Sequence, residues 1–217
     1  IRLSLVGSEM CIRDRDKAAD PIIVHADVRR MLLTMKAFNE GNRALTYFTA
    51  QLLDTAHLSS DAAQRQEAED LLAFLTPICK AFMTETGLEV TNHGMQVFGG
   101  HGYIREWGME QLARDARIAP IYEGTNGIQA LDLLGRKVLG SQGKLLRGFT
   151  KLVHKFCAAN AEHPQLKAQV EQLNQLNQQW GELTMKVGMA AMKNPDEVGA
   201  AAVDYLMYLS LIHISEP

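Results

Sequence analysis

Residues 96–129 read QVFGGHGYIREWGMEQLARDARIAPIYEGTNGIQ. Gly99, Gly100 and Gly102 fall within four positions, too dense a run for a helix interior, and they favour a loop with unusual backbone angles. Such a loop lets backbone amides approach an anionic ligand closely. It is not a dinucleotide fingerprint, because no strand precedes it and the glycine spacing is wrong. Residues 106–118 read as a short charged helix with Arg114, Asp115 and Arg117 in ion pairs, and Tyr103 and Trp107 read as core or interface anchors. Pro120 ends that helix. Glu123 then stands just ahead of another helix, for which Thr125 or Asn126 is the natural N-cap. The helix dipole favours its ionised form and burial its neutral form. A carboxylate so poised suits a general base; the structural alternative is that Glu123 merely supports the helix start.

Outward from this stretch the pattern is helical throughout. Val28, Met31, Leu32, Met35, Phe38, Leu45, Phe48 and Leu52 fall at three- and four-residue steps, predicting a helix from Ala26 or Asp27 to about His57. Ser60 or Asp61 caps the next segment, where Leu71, Leu72, Leu75, Ile78 and Phe82 continue a stripe and Pro77 is expected to kink or split it. Gly41, Gly87 and Gly94 are read as close-packing positions. C-terminally, Ile128, Leu131, Leu134 and Val138 mark a helix to about Leu139, followed by a Gly-Ser-Gln-Gly linker at 140–143. Further helices follow, broken at Glu162-His163-Pro164 and restarted at Asn194-Pro195-Asp196. The fold class is all-α, an antiparallel helix bundle with further C-terminal helices.

The two ends carry a different signal. Leu209–Pro217, LSLIHISEP, and Gly7–Arg15, GSEMCIRDR, can be encoded by opposite strands of one short DNA, shifted by a single base. That DNA looks like a sequencing adapter, so residues 1–15 and 209–217 are expected to be foreign and are left out of fold reasoning. The remainder divides into a helical domain at 16–140 and an additional, truncated one at 141–208. It is expected to be an internal piece of a longer reading frame. The formal net charge of −3 argues against nucleic-acid binding, where a basic stripe is expected. Cys79 and Cys157 lie in apolar helical contexts and make neither a disulfide framework nor a metal site; they fit a reducing, cytoplasmic compartment. His93, His101, His154 and His163 lack metal-ligand spacing. No apolar run approaches the length of a membrane span.

The paired motifs QVFGGHGY and IYEGT, separated by RDARI, resemble the C-terminal helical domain of the acyl-CoA dehydrogenase family over residues 25–137. The resemblance implies a helix bundle within an FAD-dependent oligomer built around a dimer, acting on acyl-CoA thioesters and passing electrons to an electron-transfer flavoprotein. It implies that Glu123 removes the α-proton while FAD takes the β-hydride, and that the Glu123 amide donates to the thioester carbonyl. Gln96, Gly99 and Gly100 would contact FAD held mainly by a neighbouring subunit, Thr125 would touch the flavin cofactor, and Tyr122 would line the acyl pocket. Many members carry Gln where Gly127 stands here, so that flavin contact is not expected. The form EGTNGIQ resembles the larger subgroup with an extra C-terminal helical domain, which includes enzymes acting on 3-methylmercaptopropionyl-CoA. A non-catalytic relative that keeps the bundle, or an acyl-CoA oxidase, would share most of these features. An intact IYEGT motif discriminates against the former.

Overall fold

The computed structural model describes residues 21–214, and side chains as far as 208. The stretch 1–15 therefore lies outside the described residues, as do 215–217; of 209–214 the helical backbone alone is described. After a 3₁₀ turn at Ile22–Val24, the chain forms α1 (Ala26–Leu58), α2 (Ala62–Val97), and 3₁₀ turns at Gly99–Tyr103 and Arg105–Trp107. There follow α3 (Met109–Ile118), α4 (Thr125–Leu131) running into a π-helical segment Asp132–Leu139, α5 (Lys144–Asn160), α6 (Lys167–Lys193) and α7 (Asp196–Ile214). No strand occurs among the described residues. The molecule is all-helical, as its periodicities predict.

α1 and α2 form an antiparallel pair. Asn42 Nδ2 donates to Thr86 Oγ1 at 2.9 Å, Thr46 Oγ1 lies 3.6 Å from Met83 Sδ, and Thr49 bonds the Cys79 thiol. Residue numbers thus climb on one helix as they fall on the other. Met31, Leu45, Leu52 and Ala56 are the buried stripe of α1. Asp61 caps α2 by accepting from the amides of Ala63 and Gln64, satisfying two donors that have no partner inside the helix.

Pro77 does not split α2. It is buried between Phe74, Leu75 and Ile78, each fully enclosed, so packing on both sides of the proline holds one helix despite the lost donor. α2 also corrects the expectation about membrane spans. By length and composition alone it could cross a bilayer, but nearly half of its apolar window is buried inside the molecule, as in the core helix of a bundle.

Helix α3 starts at Met109 rather than Glu106. Gly108 sits at φ +73° and separates the 3₁₀ turn Arg105–Trp107 from the helix proper. Arg114 and Arg117 make no ion pair among the described residues, and Asp115 instead accepts from Gln111 Nε2 at 2.7 Å. The turn Gly99–Tyr103 lies directly on α2, where a Cβ at Gly102 would come within 2.3 Å of the Met95 carbonyl oxygen. A Cβ at Gly94 would come about as close to the methyl end of Met109, at 2.4 Å. Gly41 and Gly87, by contrast, face open space, so those two glycines do not serve packing within this chain. Tyr103 and Trp107 are 80% and 54% exposed, which rules them out as core residues here.

The deepest core lies where the C-terminal helices meet the first half of α2. Trp180 of α6 is fully buried, with ring centres of Phe74 (α2), Phe149 (α5) and Tyr205 (α7) at 6.0, 5.9 and 5.5 Å. Leu133, Leu134 and Val138 of the π-helical segment complete the same cluster. Tyr205 satisfies its buried hydroxyl through Thr184 Oγ1 at 2.7 Å, and burial raises its pKa well above the usual tyrosine range. Cys157 is buried in this core, whereas Cys79 is half-buried between α1 and α2.

Candidate active site

The segment between α3 and α4 is built from three consecutive residues in left-handed backbone geometry: Glu123 at φ 55°, Gly124 at 87° and Thr125 at 59°. Glycine adopts this region freely, but an L residue there costs about 1–3 kcal/mol and persists only where its surroundings impose it. Thr125, being β-branched, is the sharper outlier.

The surroundings are identifiable. Asn126 Oδ1 accepts from Lys80 Nζ at 3.0 Å and lies 3.1 Å from Thr84 Oγ1, and Asn126 Nδ2 donates to the Ala81 carbonyl at 3.2 Å. The Asn126 amide donates to Pro120 at 3.1 Å, closing the turn. Gln129 Nε2 holds the Glu123 carbonyl at 3.1 Å. The N-cap of α4 is Gly124 rather than Thr125 or Asn126, and Thr125, the first helical residue, accepts from the Ile128 amide at 3.4 Å through its Oγ1. Lys80 Nζ also sits 5.9 Å from the centre of the Tyr122 ring, a cation–π distance.

The result is a carboxylate displayed rather than enclosed. Glu123 is exposed, so this chain by itself does not supply the burial anticipated for it. Among the described residues the Glu123 amide makes no hydrogen bond. Ile121, Tyr122, Ile128 and Leu131 are each at least 40% exposed around the same turn, giving an apolar rim beside an acid and a free amide donor. Chemically, the arrangement offers a base and an oxyanion donor from a single residue next to a surface that accepts hydrocarbon.

Gln96, Gly99 and Gly100 lie elsewhere. They are exposed at the C-terminal end of α2, with Gly99 at φ +60° and open space at both glycines. Asn126 moors its turn to α2 at residues 80–84, and Gln96 is a further 12 residues along, about 18 Å at the helical rise. Tyr122, Glu123 and Thr125 are therefore brought together; the other three are not brought to them. Lys80, Gln129 and the anchoring role of Asn126 were not singled out from sequence. Lys80 carried a usable signal, as the lone charge in the apolar run LLAFLTPICKAFM at 71–83, since a lysine on a packed face needs a partner.

Comparison with known proteins agrees with this reading of the motifs. Residues 9–139 match the acyl-CoA dehydrogenase C-terminal domain, and residues 149–215 match an acetyl-CoA dehydrogenase C-terminal-like domain. The chain is 52% identical over 135 residues to the 3-methylmercaptopropionyl-CoA dehydrogenase of Ruegeria pomeroyi, covering 62% of this chain and 23% of that one. It is 34% identical over 160 residues to a broad-specificity linear acyl-CoA dehydrogenase of Mycobacterium tuberculosis, covering 71% and 26%. In fold it resembles ACDH-11 of Caenorhabditis elegans, solved in complex with C11-CoA, with a TM-score of 0.68 at 24% identity over 86% of this chain and 32% of that one. The chain spans about a quarter of the length of these curated relatives. It belongs to the acyl-CoA dehydrogenase family, in the subgroup whose C-terminal helical domain is followed by a second one.

Proposed function

We propose that this chain supplies the catalytic base, and one cofactor-contacting loop, of a flavin-dependent acyl-CoA dehydrogenase that oxidises an acyl-CoA thioester to the 2,3-enoyl-CoA. The observation that carries the reading is the left-handed turn at 123–125, which displays the Glu123 carboxylate and its unbonded amide together. Glu123 takes the α-proton of the bound thioester. Its own amide donates to the thioester carbonyl, where negative charge gathers as the proton leaves, a preorganised donor of the oxyanion-hole kind. Tyr122 lines the acyl chain on the apolar rim.

The residues fit FAD, which when bound accepts the β-hydride. Thr125 Oγ1 already accepts from Ile128, so its proton is available to an acceptor on the flavin. Gln96 offers an exposed amide, and Gly99 and Gly100 leave room for close backbone approach. Gln96 lies about 18 Å along α2 from the anchor of the Glu123 turn, with Gly99 and Gly100 just beyond it, and, as the family resemblance implies, these three serve the FAD of a neighbouring subunit, in a homodimer or larger homo-oligomer. Electron-transfer flavoprotein is the acceptor that reoxidises the cofactor; fast reoxidation by oxygen would instead mark an oxidase.

The test uses the full-length enzyme that contains this chain. Glu123→Gln should bind FAD normally yet fail to bleach the flavin when an acyl-CoA is added. Bleaching at the wild-type rate would remove Glu123 as the base.

A further inference from the structure

We infer that Asn126 and Lys80 form a clamp that positions the base, an inference that rests on the reading of Glu123 given above. Asn126 follows the three left-handed residues directly, and its side chain is moored at three points on α2: Lys80 Nζ, Thr84 Oγ1 and the Ala81 carbonyl, at 3.0, 3.1 and 3.2 Å. These partners lie 42–46 residues away in sequence on a capped, well-packed helix, a rigid reference for the turn. Left to itself, the chain at Glu123 and Thr125 would relax toward right-handed or extended geometry, swinging the carboxylate away from its place. Lys80 grips the turn on both sides of Glu123, since the same ammonium that binds Asn126 also faces the Tyr122 ring at 5.9 Å. Neither residue needs to touch substrate. Their effect passes through the position of Glu123, which makes them positioning residues.

In the full-length holoenzyme, Asn126→Ala and Lys80→Met should keep FAD content and acyl-CoA affinity within about threefold of wild type. Single-turnover flavin reduction, with butanoyl-CoA as the first probe, should slow about 10- to 100-fold, the range expected when a catalytic group is displaced by about 1 Å. Deuteration at the α-carbon should slow the variants more than the wild type, because proton removal becomes limiting. Lys80→Gln, which keeps a donor toward Asn126 Oδ1, should recover part of the rate lost in Lys80→Met. Wild-type rates per bound flavin in both variants would overturn the clamp, and so would a loss confined to FAD content or thermal stability. If Asn126→Ala does not fold, Lys80→Met decides by the same readings. Glu123→Gln measured alongside separates the two claims. If it bleaches normally, the base itself is wrong; if it is inactive while Asn126→Ala is fast, only the clamp falls.

Discussion

Glu123, Gly124 and Thr125 concentrate backbone strain at one point, and strain kept in place by several unrelated contacts is a mark of a site under functional constraint. Gly124→Ala should therefore do harm out of proportion to one methyl group. A Cβ there meets Ile128 Cγ2 at an ordinary 3.5 Å, but at φ +87°, so the cost is conformational, about 1–2 kcal/mol. A lower thermal midpoint together with slower flavin reduction is the expected reading. Cys79 gives a second residue-scale test. Burial pushes its thiol from 9.0 up to about 11, so folding favours the neutral thiol. The stability this contributes is complete below pH 9 and is lost as pH rises through about 11. Cys79→Ala should flatten the fall in stability across that window, leaving the part due to Tyr205 and Tyr208, whose hydroxyls burial raises in the same sense. At this scale the sequence was partly legible. Tyr122, Glu123 and Thr125 could be named from the IYEGT motif, but the Asn126 clamp could not, because it is made by contacts more than 40 residues distant in the chain.

Among the elements, α2 is the spine on which the others are placed, and its start was readable. Asp61 caps it as the pattern at 58–61 suggested. Asp61→Ala should cost about 1 kcal/mol, seen as a lower thermal midpoint of the full-length protein with the rate per bound flavin unchanged. The turn at 99–103 depends on Gly102, whose missing Cβ lets it rest on the Met95 carbonyl. Backbone atoms cannot swing aside as a methionine tip can. Gly102→Ala should therefore lift the turn from α2, carrying Gly99 and Gly100 with it, and weaken FAD binding while leaving the Glu123 turn intact. Measured FAD affinity against the rate at saturating cofactor separates those effects. Two features here departed from the local pattern, one through tertiary packing and one through backbone geometry. Of the two outcomes expected at Pro77, a kink or a split, the split does not occur, because buried neighbours on both sides keep α2 one helix. The start of α3 was placed three residues early, because a helix pattern does not reveal that Gly108 turns left-handed.

Across the whole molecule, Trp180 ties the two matched domains into one core: it comes from the second and packs against Phe74 of the first. Trp180→Ala should cost about 3–5 kcal/mol, destabilising the bundle that carries the Glu123 turn as well as the C-terminal helices; loss of those helices alone, with the bundle melting unchanged, would contradict this. The all-helical architecture followed from apolar periodicity, but the sharing of one core by α2, α5, α6 and α7 did not, since stripes show that a face is buried and not what buries it. The distance along α2 between the two motif groups was equally hidden, because the motifs show their order in the chain and not their separation in space. The central claim is that Glu123 removes the α-proton, and it can be measured apart from any redox step. A thioester with sulfur in place of the β-carbon can lose its α-proton but yield no β-hydride. Incubated in deuterated water with the full-length holoenzyme, such a thioester should exchange its α-protons rapidly with wild type and only at the uncatalysed rate with Glu123→Gln. Exchange by Glu123→Gln at the wild-type rate would contradict the assignment.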